Sequence, residues 1–502
     1  MDFGPAAAKL LKSTKRNARL HEMSWENFDL RARAHRALQQ YGFIADFPAT
    51  VLEETNRATV PAPPGDARDL RDLLWSSIDN TGTRDLDQVE IADAMPSGDI
   101  RVRIGIADVA SVVKQDSVTD RFAGLNTTSV YTGVATFPML PERLSTDLTS
   151  LVEDGDRRAM VVDFVVAETG EVKAAEVYVA WIKNRARLVY EIIGDWLEGR
   201  TVVPESVRRV AGLEEQLRLQ FSASQRLKKF RREQGTLSFA EREPKPVMDG
   251  DRLQDLSLER QNCAREIIES FMVAANVSVA EFLKSKRVAS LRRVVTQPRR
   301  WDRIQQIAAQ HNFRLPREPD SRALSAFLEQ QKSSDPDGFA DLSFIIVKLL
   351  GPGEYVVEQP GQEHQAHFGL AVHDYTHSTA PNRRFADLVT QRLLPSITPP
   401  YQIPELEAIA AHCNDRSKAA RKVERLMRKV AAAVLLSRRI GEIFEGIVTG
   451  AKAKGTFVRL KSFPAEGRIV RGEPQLDVGD RVRVRLLATD PENGFIDFEA
   501  VR

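Results

Sequence analysis

The chain has 502 residues, 42% hydrophobic and 28% charged, with 72 basic against 70 acidic side chains and a formal net charge of +2. Room for about three or four domains and an ordinary globular composition exclude a disordered or collagen-like chain. The near-zero net charge excludes a uniformly basic coating protein, so a polyanion must be met by local patches.

No apolar run approaches the ~18 residues of a transmembrane helix. Lys9, Lys12, Lys15 and Arg16 precede no long apolar core, so the N-terminus does not read as a secretory signal. The two cysteines, Cys263 and Cys413, sit in helix-like text and suit a reducing cytoplasm. A cytoplasmic protein without membrane partners is expected.

Residues 1 to about 66 read as helix-rich. Leu30, Ala34 and Leu38 fall on one stripe, and Arg31, Arg33, Arg36 and Lys9 are candidates for a charged face. Pro61-Ala-Pro-Pro-Gly65 closes the segment as a linker. Either a small helical domain of helix-turn-helix kind or a solvated helical lead-in fits this stretch.

Residues 67 to about 185 read mostly as strands, at 73–79, 86–94, 99–107, Val161–Val166 and Val172–Trp181. Between the first two lies Asp79-Asn-Thr-Gly-Thr-Arg-Asp85-Leu-Asp87. Asp79 ends one strand, Asn80 and Gly82 turn the chain, and Asp85 and Asp87, two apart, point to one side of an extended stretch. Three carboxylates converging on one spot repel one another and need a cation; hard oxygen ligands select Mg²⁺ or Mn²⁺. Aspartates also gather in turns simply because they cap and turn well. A calcium loop is disfavoured, since Thr81, Thr83 and Arg84 break its alternation.

From Leu188 onward helices are expected to take over. The helix Arg265–Leu283 carries Ile268, Phe271, Met272, Ala275 and Val279 as its buried stripe. Glu269 and Asn276, seven apart beside that stripe, stand at its solvent rim or line a channel. Further on, His373-Asp-Tyr-Thr-His377-Ser-Thr-Ala-Pro381-Asn-Arg383-Arg384-Phe385 precedes a helix with the stripe Phe385, Leu388, Val389 and Leu393. Pro381 suits the first helical turn, with Ser378 or Thr379 as cap. Two arginines in a first turn oppose the helix dipole unless an anion sits against them, which would make a phosphate site. The plainer reading is an Arg383–Asp387 pair at i, i+4.

A charged helix from Pro404 to about Arg439 leads to five short strands. They are Phe444–Ala451, Gly455–Leu460, Ala465–Val470, Arg481–Leu487 and Phe495–Ala500, the pattern of a small OB-type barrel. Arg459, Lys461, Arg468, Arg471, Arg481, Arg483 and Arg485, with Phe457 and Phe463, offer cations for phosphates and rings for bases. An acidic cluster, an arginine-bearing helix start and a basic barrel in one chain point to phosphodiester chemistry.

At these residues the chain resembles the ribonuclease II (RNB-domain) family of exoribonucleases, from about Asp69 to its last residue. The carriers begin with Ile78-Asp79 through Asp85-Leu-Asp87, Ile106-Ala-Asp108-Val, Ser129-Val-Tyr131, Phe137-Pro-Met-Leu-Pro141 and Leu144-Ser-x-Asp-Leu-x-Ser-Leu151. They continue through Leu188-Val-Tyr190, Glu269 with Ala275-Asn276, Tyr375-Thr-His377 and Pro381 through Arg383-Arg384. The expected fold is α+β and multidomain: a small helical N-terminal domain (1–66), a mixed α+β RNB catalytic domain (67–440) and a C-terminal five-stranded OB-fold barrel of ribosomal-protein S-one type (441–502).

The resemblance implies processive, hydrolytic 3′→5′ degradation of single-stranded RNA from its 3′ ends to nucleoside 5′-monophosphates, with Mg²⁺ (or Mn²⁺), by a monomer. It implies Asp79, Asp85, Asp87 and Gln88 around the metal, and Arg383 on the scissile phosphate. Tyr131 and Phe239 match the family's aromatic clamp. Tyr190, Glu269 and Glu424 match positions that seat the terminal nucleotide, and His377 and Arg384 complete the RNA-binding set.

Three departures stand out. Gln88 occupies a position where the family usually has another Asp, and Glu90, two residues on, is a candidate to compensate. Thr379-Ala-Pro-Asn382 replaces the usual Thr-Ser-Pro-Ile. About 66 helix-rich residues cannot hold the two cold-shock barrels that often precede the catalytic domain, so RNA entry must be built differently. The alternative reading is a catalytically weak or inactive RNA-binding protein of the same fold, with Gln88 as its mark; an endonuclease is a further one.

Overall fold

A computed structural model describes residues 28–502 apart from 63–64, 241–243, 251, 259, 296–297, 299, 337, 363–365, 395–399, 453–454, 473–475, 477–479 and 502. Lys9, Lys12, Lys15 and Arg16 lie outside the described residues.

The first described helix, Leu30–Gln40, is capped by Asp29, whose carboxylate accepts from the Ala32 N–H at 2.8 Å. Leu30, Ala34, Ala37 and Leu38 are buried against Ala419, Ala420, Val423 and Met427 of a long later helix. The second, Ala49–Arg57, packs instead on the helix Val118–Asn126, where Glu54 accepts from the Val118 and Thr119 N–H groups at 3.2 and 2.6 Å. The two helices thus bury themselves on the body of the protein. Arg33 corrects the expected charged face. Its spacing from Leu30 and Ala37 puts it on the buried stripe, where its side chain is 7% exposed. Its Nε donates to the Glu492 carbonyl at 2.7 Å, and Arg36 pairs with the Glu492 carboxylate at 3.1 Å.

Strands β1 (Arg68–Asp69), β2 (Trp75–Asp79), β3 (Gln88–Ala94) and β4 (Ile100–Ala107) come first, then the short β5 (Val130–Tyr131) and β6 (Thr136–Phe137), then β7 (Asp156–Val166) and β8 (Val172–Val189). The main sheet has the order β1-β8-β2-β3-β4-β7, and β8 also pairs with β7, so five strands return on themselves. The long β8 makes this possible. Up to Lys183 it runs antiparallel to β7, and from Asn184 it runs parallel to β2. The apolar alternation of Ile100, Val102, Ile104 and Ile106 is buried as its period implies. Gly105 is required where strands crowd: a Cβ there would stand 3.0 Å from Ile182 Cδ1 and 3.1 Å from Val89 Cγ2.

Beyond Leu188 the chain is mainly helical, but two unforeseen antiparallel pairs interrupt it. One joins β9 (Pro244–Asp249) to β10 (Arg252–Leu258), and the other β11 (Ser290–Val294) to β12 (Glu354–Glu358). β11 and β12 are far apart in sequence, so no local turn signal announces them. The helices Leu213–Glu233 and Cys263–Ser285 cover the main sheet, the second with Ile267, Ile268, Phe271, Ala275 and Val279 in the core.

The 34-residue helix Ile403–Leu436 is the spine. Five C-terminal strands follow it, β13 (Ile443–Lys452), β14 (Gly455–Leu460), β15 (Glu466–Arg471), β16 (Arg481–Asp490) and β17 (Phe495–Val501), and it touches the N-terminal helix, β12, β16 and β17. Those five close into a barrel in the order β13-β14-β15-β17-β16. Its core of Phe444, Val458, Val484, Leu486 and Phe498 continues into Ala431–Ala433 and Leu436 of the spine. Among the described residues no helix is long and apolar enough to cross a membrane.

Arg33→Met should loosen the N-terminal helix from the barrel turn at Glu492. A charged hydrogen bond of this kind is worth about 1.5–3 kcal/mol, so a lower thermal midpoint and faster amide exchange over Leu30–Gln40 are expected.

Candidate active site

Three strand ends create the site. β2 and β8 finish side by side, with Asp79 in register with Val189, so Tyr190 follows directly beside Asp79. The chain leaves β2 through the Asn80–Gly82 turn and returns in an extended stretch, with the Asp87 carbonyl accepting from the Ala107 N–H at 2.9 Å. Arg187 ties the turn down, its Nη2 donating to the carbonyls of Thr81 and Thr83 at 2.9 and 2.6 Å. Ser150 Oγ holds the return by accepting from the Leu86 N–H and donating to the Arg84 carbonyl.

Asp79, Asp85 and Asp87 are neighbours in a desolvated corner. Burial first, then repulsion by Asp87 and Asp85, raises the Asp79 carboxyl to about 7 against the pull of Arg383 and Arg187. Burial raises Asp87 to about 6, with Arg383 opposing and Asp85 reinforcing, and burial also raises Asp85. Asp87 is engaged within the protein: Oδ1 accepts from the Asn382 N–H at 3.2 Å and Oδ2 from Arg383 Nε at 3.3 Å. Asp79 Oδ2 is buried without a hydrogen-bond partner.

That orphaned oxygen, in a set of hard donors that repel one another, fits a divalent cation. Among the described residues no three His, Cys, Asp or Glu side chains already form a coordination set. Asp87 would have to share Oδ2 between Arg383 and a metal. Gln88 opens β3 at 8% exposure, beside the cluster in sequence. Glu90, two residues on, shares the face of Gln88 by strand alternation and pairs with Ser76 across β2–β3. Both Glu90 oxygens are buried without partners, and burial, then Asp79, pushes its carboxyl well up.

The structure differs from expectation before the helix Phe385–Leu393. Pro381, Arg383 and Arg384 precede the helix instead of forming its first turn, and Arg384 itself is the N-cap residue, without a side-chain cap bond. Ser378 does not cap: its N–H and hydroxyl both donate to Asn276 Oδ1, at 2.8 and 2.9 Å. Thr379 is not the cap residue either. Asp387 pairs with Arg384 at 2.7 Å, three residues back, which leaves Arg383 to reach Asp87. Tertiary partners, with Asn276 foremost, override the local capping pattern. Asn276 is therefore interior, while Glu269 remains exposed beside Arg231.

Tyr131 is 43% exposed. Burial, then Asp85 and Asp87, raises its phenol to about 12 against Arg383, so the hydroxyl end belongs to the acidic corner. Glu424, on the spine helix, accepts from the Tyr131 N–H at 3.4 Å and so holds the backbone of that residue. Phe239 is elsewhere, packed against the cluster that contains Trp301, Ile304 and Phe327. His377 takes part in a ring series: its Nδ1 lies 2.7 Å from Tyr355 Oη, and its ring meets Tyr375 edge-on at 5.7 Å. Burial, then Arg384 and Arg293, pushes its pKa well down, so the ring is neutral.

Sequence reasoning missed Arg187 and Arg265. Arg265 lies 4.4 Å over the Tyr190 ring and donates to Asn80 Oδ1 at 3.0 Å and to Glu191 at 2.8 Å. Arg187 had a signal of its own, a cation two residues before the strand end at Val189; Arg265 had none short of the fold.

The RNB domain family model matches residues 67–398, and the model of the RNase II-type exonuclease C-terminal S1 domain matches 442–501. Ribonuclease R of Thermotoga maritima is 28% identical over 499 residues, covering 91% of this chain and 68% of its own. Ribonuclease R 2 of Lactococcus lactis is 27% identical over 471 residues, covering 87% and 70%. The structure of Mycoplasma genitalium RNase R in complex with ribose methylated single-stranded RNA matches with a TM-score of 0.85 at 23% identity, over 95% of this chain and 78% of that one. At that identity the likeness speaks to the fold.

The raised Asp79 carboxyl has a consequence for stability. Its ordinary value is about 4 and its folded value about 7, so the metal-free fold holds a proton that the unfolded chain releases. Stability is fully present below pH ~4 and is lost as pH rises through 7. Asp79→Asn should flatten this slope by on the order of 2 kcal/mol, read from urea unfolding in EDTA at pH 5 and pH 8.

Proposed function

The chain belongs to the RNB-domain family, and from that membership we infer that it is a metal-dependent 3′→5′ exoribonuclease that hydrolyses single-stranded RNA. The observation that carries the reading is the joint presence, in one desolvated corner, of Asp79, Asp85 and Asp87 with Arg383. We propose Mg²⁺ as the working ion, with Mn²⁺ as substitute, processive action, and nucleoside 5′-monophosphates as products.

Asp79, Asp85, Asp87 and the amide oxygen of Gln88 would hold the metal. Bound there, it would supply Lewis-acid polarisation and an activated water. Arg383, whose side chain is 40% exposed, grips the scissile phosphate and stabilises its developing charge while its Nε stays on Asp87. Tyr131 offers its exposed ring to a base near the 3′ end, with Glu424 positioning it. Tyr190, under the Arg265 guanidinium, and the exposed Glu269 seat the terminal nucleotide. Phe239, His377 and Arg384 are proposed as the remaining RNA contacts. The barrel residues Arg459, Arg468 and Arg481 supply phosphate contacts outside the catalytic body. The protein is proposed to act as a monomer in the cytoplasm, where its two buried, unpaired cysteines stay reduced.

One observation favours a second reading. Gln88 puts a neutral amide where the family has a carboxylate, which would weaken metal retention and leave an RNA-capturing protein. A time course on 5′-labelled single-stranded RNA decides between the two. A very short labelled remnant without intermediates, with Mg²⁺ and not with EDTA, is expected; bound but intact RNA would support capture alone, and an early ladder of fragments would mean endonuclease action. Asp87→Asn should lower turnover by a factor of roughly 10³ or more while leaving RNA affinity within a few-fold, and Arg383→Ala should cost roughly 10²–10³ in turnover.

A further inference from the structure

The helix Cys263–Ser285 starts against the ends of β2 and β8, and two residues at its beginning hold it there. Its N-cap Asn262 accepts from the Arg265 N–H at 3.0 Å and donates from Nδ2 to the Tyr190 carbonyl at 2.9 Å. Gly194, in the helix Tyr190–Leu197, permits this approach, since a Cβ there would stand 2.5 Å from Asn262 Cγ. Arg265 then engages three neighbours with one guanidinium. Nη2 donates to Asn80 Oδ1 at 3.0 Å and to Glu191 Oε1 at 2.8 Å, and the group lies 4.4 Å over the Tyr190 ring. A cation in a first helical turn is locally unfavourable, and these tertiary contacts offset that cost.

With 14% of its side chain exposed, Arg265 is turned to the protein instead of to solvent. Its partners are the residues that set distances within the site. Asn80 directly follows Asp79, and Asp79 pairs with Val189, the residue before Tyr190. Glu269 stands four residues on from Arg265, on the same side of the helix. One side chain therefore ties the carboxylate corner, the Tyr190 ring and the helix that bears Glu269 to one another. The planar fork is what allows it; a lysine ammonium is a single point charge and cannot span all three.

We propose that Arg265 is a positioning residue that sets the register between the carboxylate corner and the seat of the 3′-terminal nucleotide, and so limits each cut to one nucleotide. This rests on the exoribonuclease reading, with Tyr190 and Glu269 as that seat. Cleavage needs the scissile phosphate at Asp79 while the terminal nucleotide lies against Tyr190, and Arg265 holds the neighbours of both on one group. Without that staple the two drift apart, and the end of the strand seats at more than one depth.

The test follows the full chain with Mg²⁺ on radiolabelled poly(A), resolving 5′-phosphorylated mono- and dinucleotides while most of the RNA is still long. Wild type should release mononucleotides alone. Arg265→Met should release dinucleotides beside them and lose turnover about 10²-fold, the cost of a displacement near ~1 Å. Its KM should stay within a few-fold, because most phosphate contacts lie elsewhere. Arg265→Lys keeps a charge over the ring but not the fork, and should give the same mixed products with a smaller loss of turnover; it decides if the methionine variant does not fold. Dinucleotides from the wild type, or mononucleotides alone from a folded variant, overturn the proposal and leave Arg265 a structural residue. A wild type that leaves RNA intact defeats the exoribonuclease reading by itself, and the seat is then read by calorimetry with 5′-AMP in EDTA. About tenfold weaker binding by Arg265→Lys, as for the loss of one hydrogen bond to a charged group, supports the staple; equal affinity, or none in the wild type, overturns it.

Discussion

Mutual repulsion of carboxylates in a desolvated corner is the constraint around which the catalytic body is arranged. Asp79, Asp85 and Asp87 all sit above their ordinary pKa, and a chain free to relax would separate them. It is not free. Asp79 is fixed by the parallel pairing of β2 with β8, and Asp87 by the Ala107 and Asn382 N–H groups. The turn between them is clamped by Arg187 and Ser150. Arg383 is the compensating charge in the free protein, with Nε on Asp87 and the rest of a 40% exposed side chain left for a phosphate.

The helix Ile403–Leu436 connects these parts mechanically. Its middle receives the N-terminal helix, its end enters the barrel core, and its Glu424 holds Tyr131 at the mouth of the acidic corner. Arg33 and Arg36 close the loop by binding the β16–β17 turn at Glu492. The N-terminal helix therefore couples the barrel to the catalytic body.

The sequence by itself determined what short-range physics can encode. Period-two alternation gave β2, β3, β4 and the five barrel strands nearly to their ends, and the apolar stripe gave the helix around Phe271. The acidic residues and Arg383 stood out as chemistry because converging carboxylates need a cation and arginines at a helix start oppose its dipole. Only the tertiary structure decided where those groups face. Asn276 took Ser378 away from a capping role, and Arg384 took Asp387 from Arg383. β11 and β12 pair across a long separation, and Arg265 reaches Tyr190 from another helix. These are contacts between distant segments, each chosen by burial and hydrogen-bond satisfaction once the chain is compact, and no local pattern carries them.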